Sequence, residues 1–385
     1  PSVVMCGMGN ENDWPGDFST YENDEIRAFM KELHDLSHAE DPSRVTCIRR
    51  CEFAKDIIDV YSPSMWPGWY SAKYTMYDYR KMIRENFERT SRLFHAEWGG
   101  DSHAGRHDDT WELVGGEGKG LYSATYIVQL VDWYLHEQEH MDWFTGSAFW
   151  TFKDFCTPLR PDNPVPYVNQ KGAVARDLTP KEIYYVFQSY WASGPMLHIY
   201  GHGWPVRWGA EGEAKKLLVH SNASRVELFL NGVSQGVKER ANDDYPAAGL
   251  HWDLVFRKGS NTVRAVAPEE GLEDEIRFEY QTDRWGAPAK ALISCEALGG
   301  GRHRVALRVV DAAGVECLDA RNFVRFSVAG RGELEDNAGT PWASRRVQLA
   351  NGRASIVVSG TAGCIVGVDV EGIETEYITI PLCEN

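Results

Sequence analysis

The sequence predicts a multidomain chain: part of a (β/α)8 TIM barrel, followed by two antiparallel immunoglobulin-like β-sandwiches. Three observations predict it. The 385 residues exceed what one hydrophobic core sustains. Up to about residue 195, apolar strand-like runs alternate with helical patterns, the mark of parallel β/α units. After Trp191 the helical period gives way to short alternating runs separated by turn residues.

In the first region the strand-like runs are Val3 to Met8, Arg44 to Ile48, Ile57 to Tyr61, Leu93 to Ala96 and Gly146 to Phe152. Helices with apolar residues three and four apart are expected around Asp24 to Ser37, Tyr77 to Arg92 and Ser123 to His140. Five strands with their helices make a little over half of an eight-stranded barrel. In the second region Lys216 to His220, Arg225 to Leu230, Thr262 to Ala267 and Glu275 to Tyr280 read as strands, with Asn231-Gly232 as a hairpin turn. Trp285-Gly286-Ala287-Pro288 reads as a linker. Beyond it Ala291 to Cys295, Arg304 to Val310, Val324 to Ala329, Ala354 to Val358 and Ile365 to Val370 give a second sandwich. The expected domains are therefore 1–195, 196–285 and 286–385.

Composition narrows the function. A formal charge of -16 repels a polyanion, and no stripe interleaves basic and aromatic residues, so no nucleic-acid partner is expected. No apolar run reaches the roughly 20 residues of a membrane span. Eight cysteines (Cys6, Cys47, Cys51, Cys156, Cys295, Cys317, Cys364, Cys383) are too sparse for a disulfide scaffold and read as buried free thiols. No charged leader precedes the opening Pro-Ser-Val-Val run, so no secretory signal is read and localisation is left open. No cofactor motif is found. Of 14 tryptophans, Trp14, Trp66, Trp69, Trp98, Trp111, Trp133, Trp143, Trp150 and Trp191 all precede residue 192. Indole faces stack on the C–H faces of sugar rings, although core packing explains most buried tryptophans.

Two strand ends in the first region terminate in a carboxylate: Gly9-Asn10-Glu11, and His95-Ala96-Glu97-Trp98-Gly99. C-terminal strand ends form the active face of a β/α barrel. Cleaving a glycosidic bond with retention needs one carboxyl to protonate the leaving oxygen and another, about 5 Å away, to attack the anomeric carbon. Either glutamate alone could be a solvated surface group. Together with Gly146-Ser147-Ala148-Phe149-Trp150-Thr151-Phe152-Lys153-Asp154-Phe155, their order and spacing resemble glycoside hydrolase family 2, which includes β-galactosidases, β-glucuronidases and β-mannosidases.

The resemblance implies that the runs are about strands 4 to 8 of the barrel, with Glu11 the acid/base, Glu97 the nucleophile and Asn10 at the sugar 2-hydroxyl. It places Trp150 as a sugar floor and counts Trp66 and Trp98 among the substrate-binding residues. Where many members carry a tyrosine that bonds the nucleophile, this chain has Trp66, whose N–H donates but cannot accept. In Tyr167-Val168-Asn169-Gln170-Lys171-Gly172, Asn169 and Lys171 match a loop that grips the substrate carboxylate in β-glucuronidases and also occurs in β-galactosidases. The sandwich around Val219 to Asn222 and Val226 to Gly232 resembles one appended to bacterial β-galactosidases, which tilts the expectation toward a β-galactosidase acting on oligosaccharides. A β-glucuronidase or β-galacturonidase is the alternative, and a non-catalytic carbohydrate-binding fragment a second one. The remaining barrel strands would come from an N-terminal half, in the same or a separate polypeptide, and a homo-oligomer is compatible with the sequence. His103 and His107, beside Asp101 and Asp108, read as solvated or substrate-facing, and no metal site is assigned.

Overall fold

The computed structural model describes residues 3–70, 73–90, 92–109, 122–335, 345–360 and 363–380; Trp111 and Cys383 lie outside them. The chain divides into two compact units. Among the described residues, the first holds Pro1–Gly100 and Trp133–Thr151, and the second holds 101–109, 122–132 and Phe152–Asn385.

The first unit is built on parallel strands β1 (Met5–Asn10), β2 (Val45–Arg49), β3 (Val60–Ser62), β4 (His95–Trp98) and β5 (Ser147–Phe149). β1, β2 and β3 pair in parallel, Tyr61 bridges to Leu93 in parallel, and β4 pairs in parallel with β5. Helix α1 (Asn23–Glu40) presents Ile26 and Met30, one turn apart, to Ile48, Cys51, Ala54, Ile58 and Tyr61. That apolar stripe, rather than propensity alone, holds the helix in place. Asp24 and Glu25 in its first turn and His38 in its last complement the helix dipole. α2 (Tyr79–Thr90) buries Tyr79 and Ile83 in the same manner. α3 (Ala124–Glu139), which belongs to this unit only from Trp133 on, is buried around most of its circumference, as its apolar sequence requires.

Two pairings are irregular. Register shifts between Gly7 and Gly9 in β1 and between His95 and Trp98 in β4. An extra residue in one strand re-aims the side chains that follow it. The expected strand Ile57 to Tyr61 begins only at Val60, because Ile58 is used as a core side chain from a turn. The expected Gly146 to Phe152 strand contracts to Ser147–Phe149.

In the second unit β6 (Phe155–Cys156) and β7 (Val168–Asn169) form a two-stranded antiparallel ribbon, followed by α4 (Glu182–Trp191). Next come β8 (Leu197–Ile199), β9 (Val206–Trp208), β10 (Ala214–Ser221), β11 (Arg225–Leu230), β12 (Val233–Glu239), β13 (His251–Val255), β14 (Gly259–Ala267) and β15 (Leu272–Gln281). They make a three-stranded sheet, β13-β10-β8, and a five-stranded sheet, β12-β11-β14-β15-β9, antiparallel except where β9 joins β15 in parallel. Alternation is visible in β15, where Ile276, Phe278 and Tyr280 are buried. Asn231 (φ 51°) and Gly232 (φ 82°) turn the chain from β11 into β12, a strand not read from the sequence.

The last strands are β16 (Lys290–Gly299), β17 (Arg302–Val310), β18 (Phe323–Ala329), β19 (Gly332–Leu334), β20 (Arg345–Gln348), β21 (Arg353–Gly360), β22 (Ile365–Val370) and β23 (Glu376–Thr379). Two antiparallel sheets, β16-β17-β21-β19 and β20-β18-β22-β23, close on one core that includes Val305, Leu307, Val324, Phe326, Val358 and Val368. Among the described cysteines all are free, but only Cys51, Cys317 and Cys364 are buried; Cys156 is exposed, which corrects the expectation of uniformly buried thiols. Among the described residues no helix is long and apolar enough to cross a membrane.

Candidate active site

In the first unit the strand ends bring together what the sequence left far apart. Glu11 follows β1 with a left-handed backbone (φ 56°), and its amide donates to the Arg49 carbonyl at 3.1 Å. A non-glycine residue in that conformation is uncommon and costs free energy, so it marks a position held by its surroundings. Glu97 lies within the irregular stretch of β4, its side chain 15% exposed.

One guanidinium joins the two carboxylates. Arg49, at the end of β2, sends Nη1 to Glu11 Oε1 and Nη2 to Glu97 Oε1 at 3.1 Å, and Nη2 also donates to Ser64 Oγ at 3.1 Å. Arg49 is 6% exposed, so its charge is withdrawn from water and committed to these partners. Trp14 Nε1 donates to Glu11 Oε2 at 3.1 Å, and Arg50, stacked 4.0 Å over the Trp14 ring, pairs with Asp13 at 3.1 Å and lies 3.6 Å from Glu11. Burial lifts the Glu11 carboxyl, but the hydrogen bond and charge of Arg49, with Trp14 and Arg50, outweigh it and hold Glu11 below the usual carboxylate range.

A buried polar chain supports β4. Ser147 Oγ donates to Gln138 Oε1 at 3.1 Å, Gln138 Nε2 to the Tyr79 hydroxyl at 2.9 Å, that hydroxyl to His95 Nδ1 at 3.2 Å, and His95 Nε2 to the Met65 carbonyl at 3.0 Å. Burial pushes His95 down to about 4, so it is neutral and its two nitrogens keep these distinct roles. Ser62 Oγ accepts from the Ala96 amide at 2.9 Å, one residue before Glu97.

The tryptophans separate by environment. Trp150 is 41% exposed, with its amide on the Trp98 carbonyl at 2.8 Å. Trp98 is fully buried between Tyr134 and Phe149, ring centroids 5.1 Å from each, so it packs rather than presents a face. Trp66 is buried edge-on to Tyr70 at 4.9 Å. Asn10 is exposed at the end of β1.

Asn169 and Lys171 belong to the second unit. Lys171 Nζ pairs with Asp101 Oδ2 at 2.6 Å, each side chain 1% exposed, and Asn169 Oδ1 accepts from the Lys171 amide at 3.1 Å. A second buried pair, Lys181 with Asp154 at 3.0 Å, stands beside it, and Asp154 Oδ1 also accepts from the Gly172 amide at 2.7 Å. His103 and His107 are not solvated: His103 Nε2 is 2.8 Å from the Gln348 carbonyl, and His107 Nδ1 is 2.8 Å from the Tyr200 hydroxyl. Both are buried and fasten their loop to its own unit, correcting the solvated or substrate-facing expectation.

Arg49, Arg50, Trp14 and Ser64 escaped the sequence reading. The signal was available for Arg49 and Arg50, which directly follow the expected strand Arg44 to Ile48 at its active end.

A family described as a domain of unknown function (DUF4982) matches residues 212–273. A putative β-glucuronidase of Formosa agariphila is 40% identical over 383 residues, covering 93% of this chain and 46% of that protein. A β-galactosidase of Bacteroides ovatus is 32% identical over 201 residues, or 50% of this chain and 22% of that one. The crystal structure of a Parabacteroides merdae β-glucuronidase superposes with a TM-score of 0.93 at 50% identity, covering 99% of this chain and 49% of that one. Bacteroides uniformis β-glucuronidase 3 does so with a TM-score of 0.93 at 53% identity, over 99% and 50%. The chain thus spans about half the length of the relatives it matches.

Proposed function

Because this chain belongs to glycoside hydrolase family 2, the β-galactosidase and β-glucuronidase superfamily, we propose that the protein carrying it is a retaining exo-β-glycosidase, with Glu11 as acid/base and Glu97 as nucleophile. The observation that carries this reading is Arg49, whose single fork reaches both carboxylates at the strand ends. Two carboxyls within that span suit attack by one and proton transfer by the other on the same anomeric centre. Glu97 attacks the anomeric carbon while Glu11 gives its proton to the leaving oxygen. Glu11 then takes a proton from the water that displaces Glu97. The depressed Glu11 suits this second step, and it makes proton donation in the first step favoured at acidic pH.

On this reading the five parallel strands are about strands 4 to 8 of a TIM barrel spanning 1–195, followed by immunoglobulin-like sandwiches at 196–285 and 286–385. Residues outside this chain would complete the barrel. Asn10 meets the sugar 2-hydroxyl and the exposed Trp150 face stacks on the ring, whereas buried Trp98 and Trp66 shape the wall. Asn169 and Lys171 remain candidates for the substrate carboxylate. Substrate preference moves from the galactoside expected above to a β-glucuronide, since relatives that match more than nine-tenths of the chain bear that name.

Nitrophenyl glycosides test both parts. We expect kcat/KM for the β-glucuronide to exceed that for the β-galactoside at least tenfold; the reverse order restores the galactosidase reading. Glu97→Gln should abolish turnover. In Glu11→Ala, azide should restore activity and give a β-glycosyl azide, and an α-azide would exchange the two roles.

A further inference from the structure

Away from the carboxylate pair, at the opposite ends of the same strands, two imidazoles and a carboxylate converge. His34 and His38 stand one turn apart on α1, their ring centroids 4.6 Å apart. Asp59 immediately precedes β3, and Thr46 is the second residue of β2. One ligand atom from each of His34, His38 and Asp59 lies within 4.8 Å of the others, and all three residues are half-buried, with a path to solvent.

Hydrogen bonding prepares the group. Thr46 Oγ has one proton and gives it to Asp59 Oδ2 at 3.0 Å, so its 2.8 Å contact with His34 Nδ1 requires the imidazole to donate. His34 is thereby held as the Nδ1–H tautomer with a bare Nε2 lone pair. A ligating histidine that donates its other N–H to a fixed oxygen is the usual arrangement behind a metal. The Thr46 amide holds the same Asp59 oxygen at 2.8 Å, and His38 Nε2 sits on it at 2.7 Å.

The other such trio among the described residues, His198, His202 and Asp274 in the second unit, contrasts with it. There each imidazole has its own carboxylate, Glu182 at 3.0 Å and Asp274 at 2.8 Å, and His198 is covered by the Tyr185 ring at 3.5 Å. That trio is a satisfied polar cluster.

We propose that His34, His38 and Asp59 bind one divalent transition-metal ion of the zinc class, with water completing its coordination, as a structural staple between α1 and the β2–β3 edge. Two imidazoles one helical turn apart with one carboxylate match the donors that zinc prefers. The ion takes the place of the proton shared by His38 and Asp59, and that proton moves to His38 Nδ1 through solvent. Strand starts in β/α folds serve stability rather than chemistry, so the ion should raise Tm without entering the reaction.

The full-length protein, stripped with chelator, is titrated with Zn2+ and separately with Co2+, following stoichiometry, Tm and the visible Co2+ spectrum. One equivalent should bind, with a Tm rise of several degrees and a Co2+ absorption pattern of four- or five-coordination. His34→Gln and His38→Gln should each remove that equivalent, and Thr46→Val should weaken it about 10- to 100-fold. His140→Ala and His202→Ala should leave it intact. His140 shares the i, i+4 spacing with His136, 4.5 Å away, and so controls for spacing alone. Wild-type protein showing neither a Tm shift nor a Co2+ spectrum overturns the proposal with no variant needed. So does an equivalent that survives His34→Gln or disappears with His202→Ala or His140→Ala.

Discussion

Arg49 neutralises part of the charge on two carboxylates at once, and that sets the pH behaviour of the site. Replacing it with methionine removes the hydrogen bond and charge that hold Glu11 down, leaving burial, which lifts it. Proton donation then persists to higher pH, so the alkaline limb of the kcat/KM profile should move upward in Arg49→Met; an unmoved limb separates Arg49 from Glu11's titration. Lys171 calls for a different expectation. Its ammonium is buried on Asp101, so Lys171→Ala strands a buried carboxylate and should cost roughly 3–5 kcal/mol of stability. Loss of activity in that variant is therefore informative only beside its Tm, and an unchanged Tm would remove the structural role. Sequence order alone exposed Glu11 and Glu97, because their short motifs sit at strand ends. It could not expose Lys171–Asp101 or Arg49's double contact, since both join residues distant in the chain through side-chain geometry.

At the scale of elements, the strands around the site are short and depend on close packing. Gly99 follows β4 at φ 140°, and a Cβ there would lie 2.6 Å from Phe149 Cε2 and 2.8 Å from the Trp150 carbonyl oxygen. Gly99→Ala should push β4 from β5, displace Glu97 and lower kcat about 100-fold while KM changes little; wild-type kcat would show that the strand end yields without moving Glu97. Helices were the most legible elements: α1 and α3 run within a few residues of their expected spans because a 3.6-residue apolar stripe repeats over several turns. Short strands were less so. β6, β7, β8, β9, β12, β13, β19, β20 and β23 were missed, and exposed β12 shows why, since it takes its place from pairing with β11 rather than from an apolar pattern.

Across the molecule, acid stability should be governed by histidines kept neutral by burial. His95 and His107 are pushed down to about 4, and His103 and His220 to about 3, from 6.5. Between those values the unfolded chain binds protons that the folded chain refuses, so stability falls as pH falls, each group contributing at most about 1.4 kcal/mol per pH unit. His202, lifted by its bond to Asp274, opposes this with the contrary sign. Calorimetry should therefore show Tm dropping steeply from pH 6.5 toward pH 4, and a level Tm across that window would refute it. The order of parallel units before antiparallel ones was legible throughout, because periodicity survives in sequence, whereas the division of 101–109 and 122–151 between two units was not. Glu11 and Glu97 both stand at strands that carry one residue more than the neighbours they pair with, so deleting that residue, Met8 for instance, would keep the later pairs, Gly9 with Ile48 and Asn10 with Arg49, and leave a well-folded protein that lacks the bend aiming its acid. Length, as much as residue identity, is what selection must guard there.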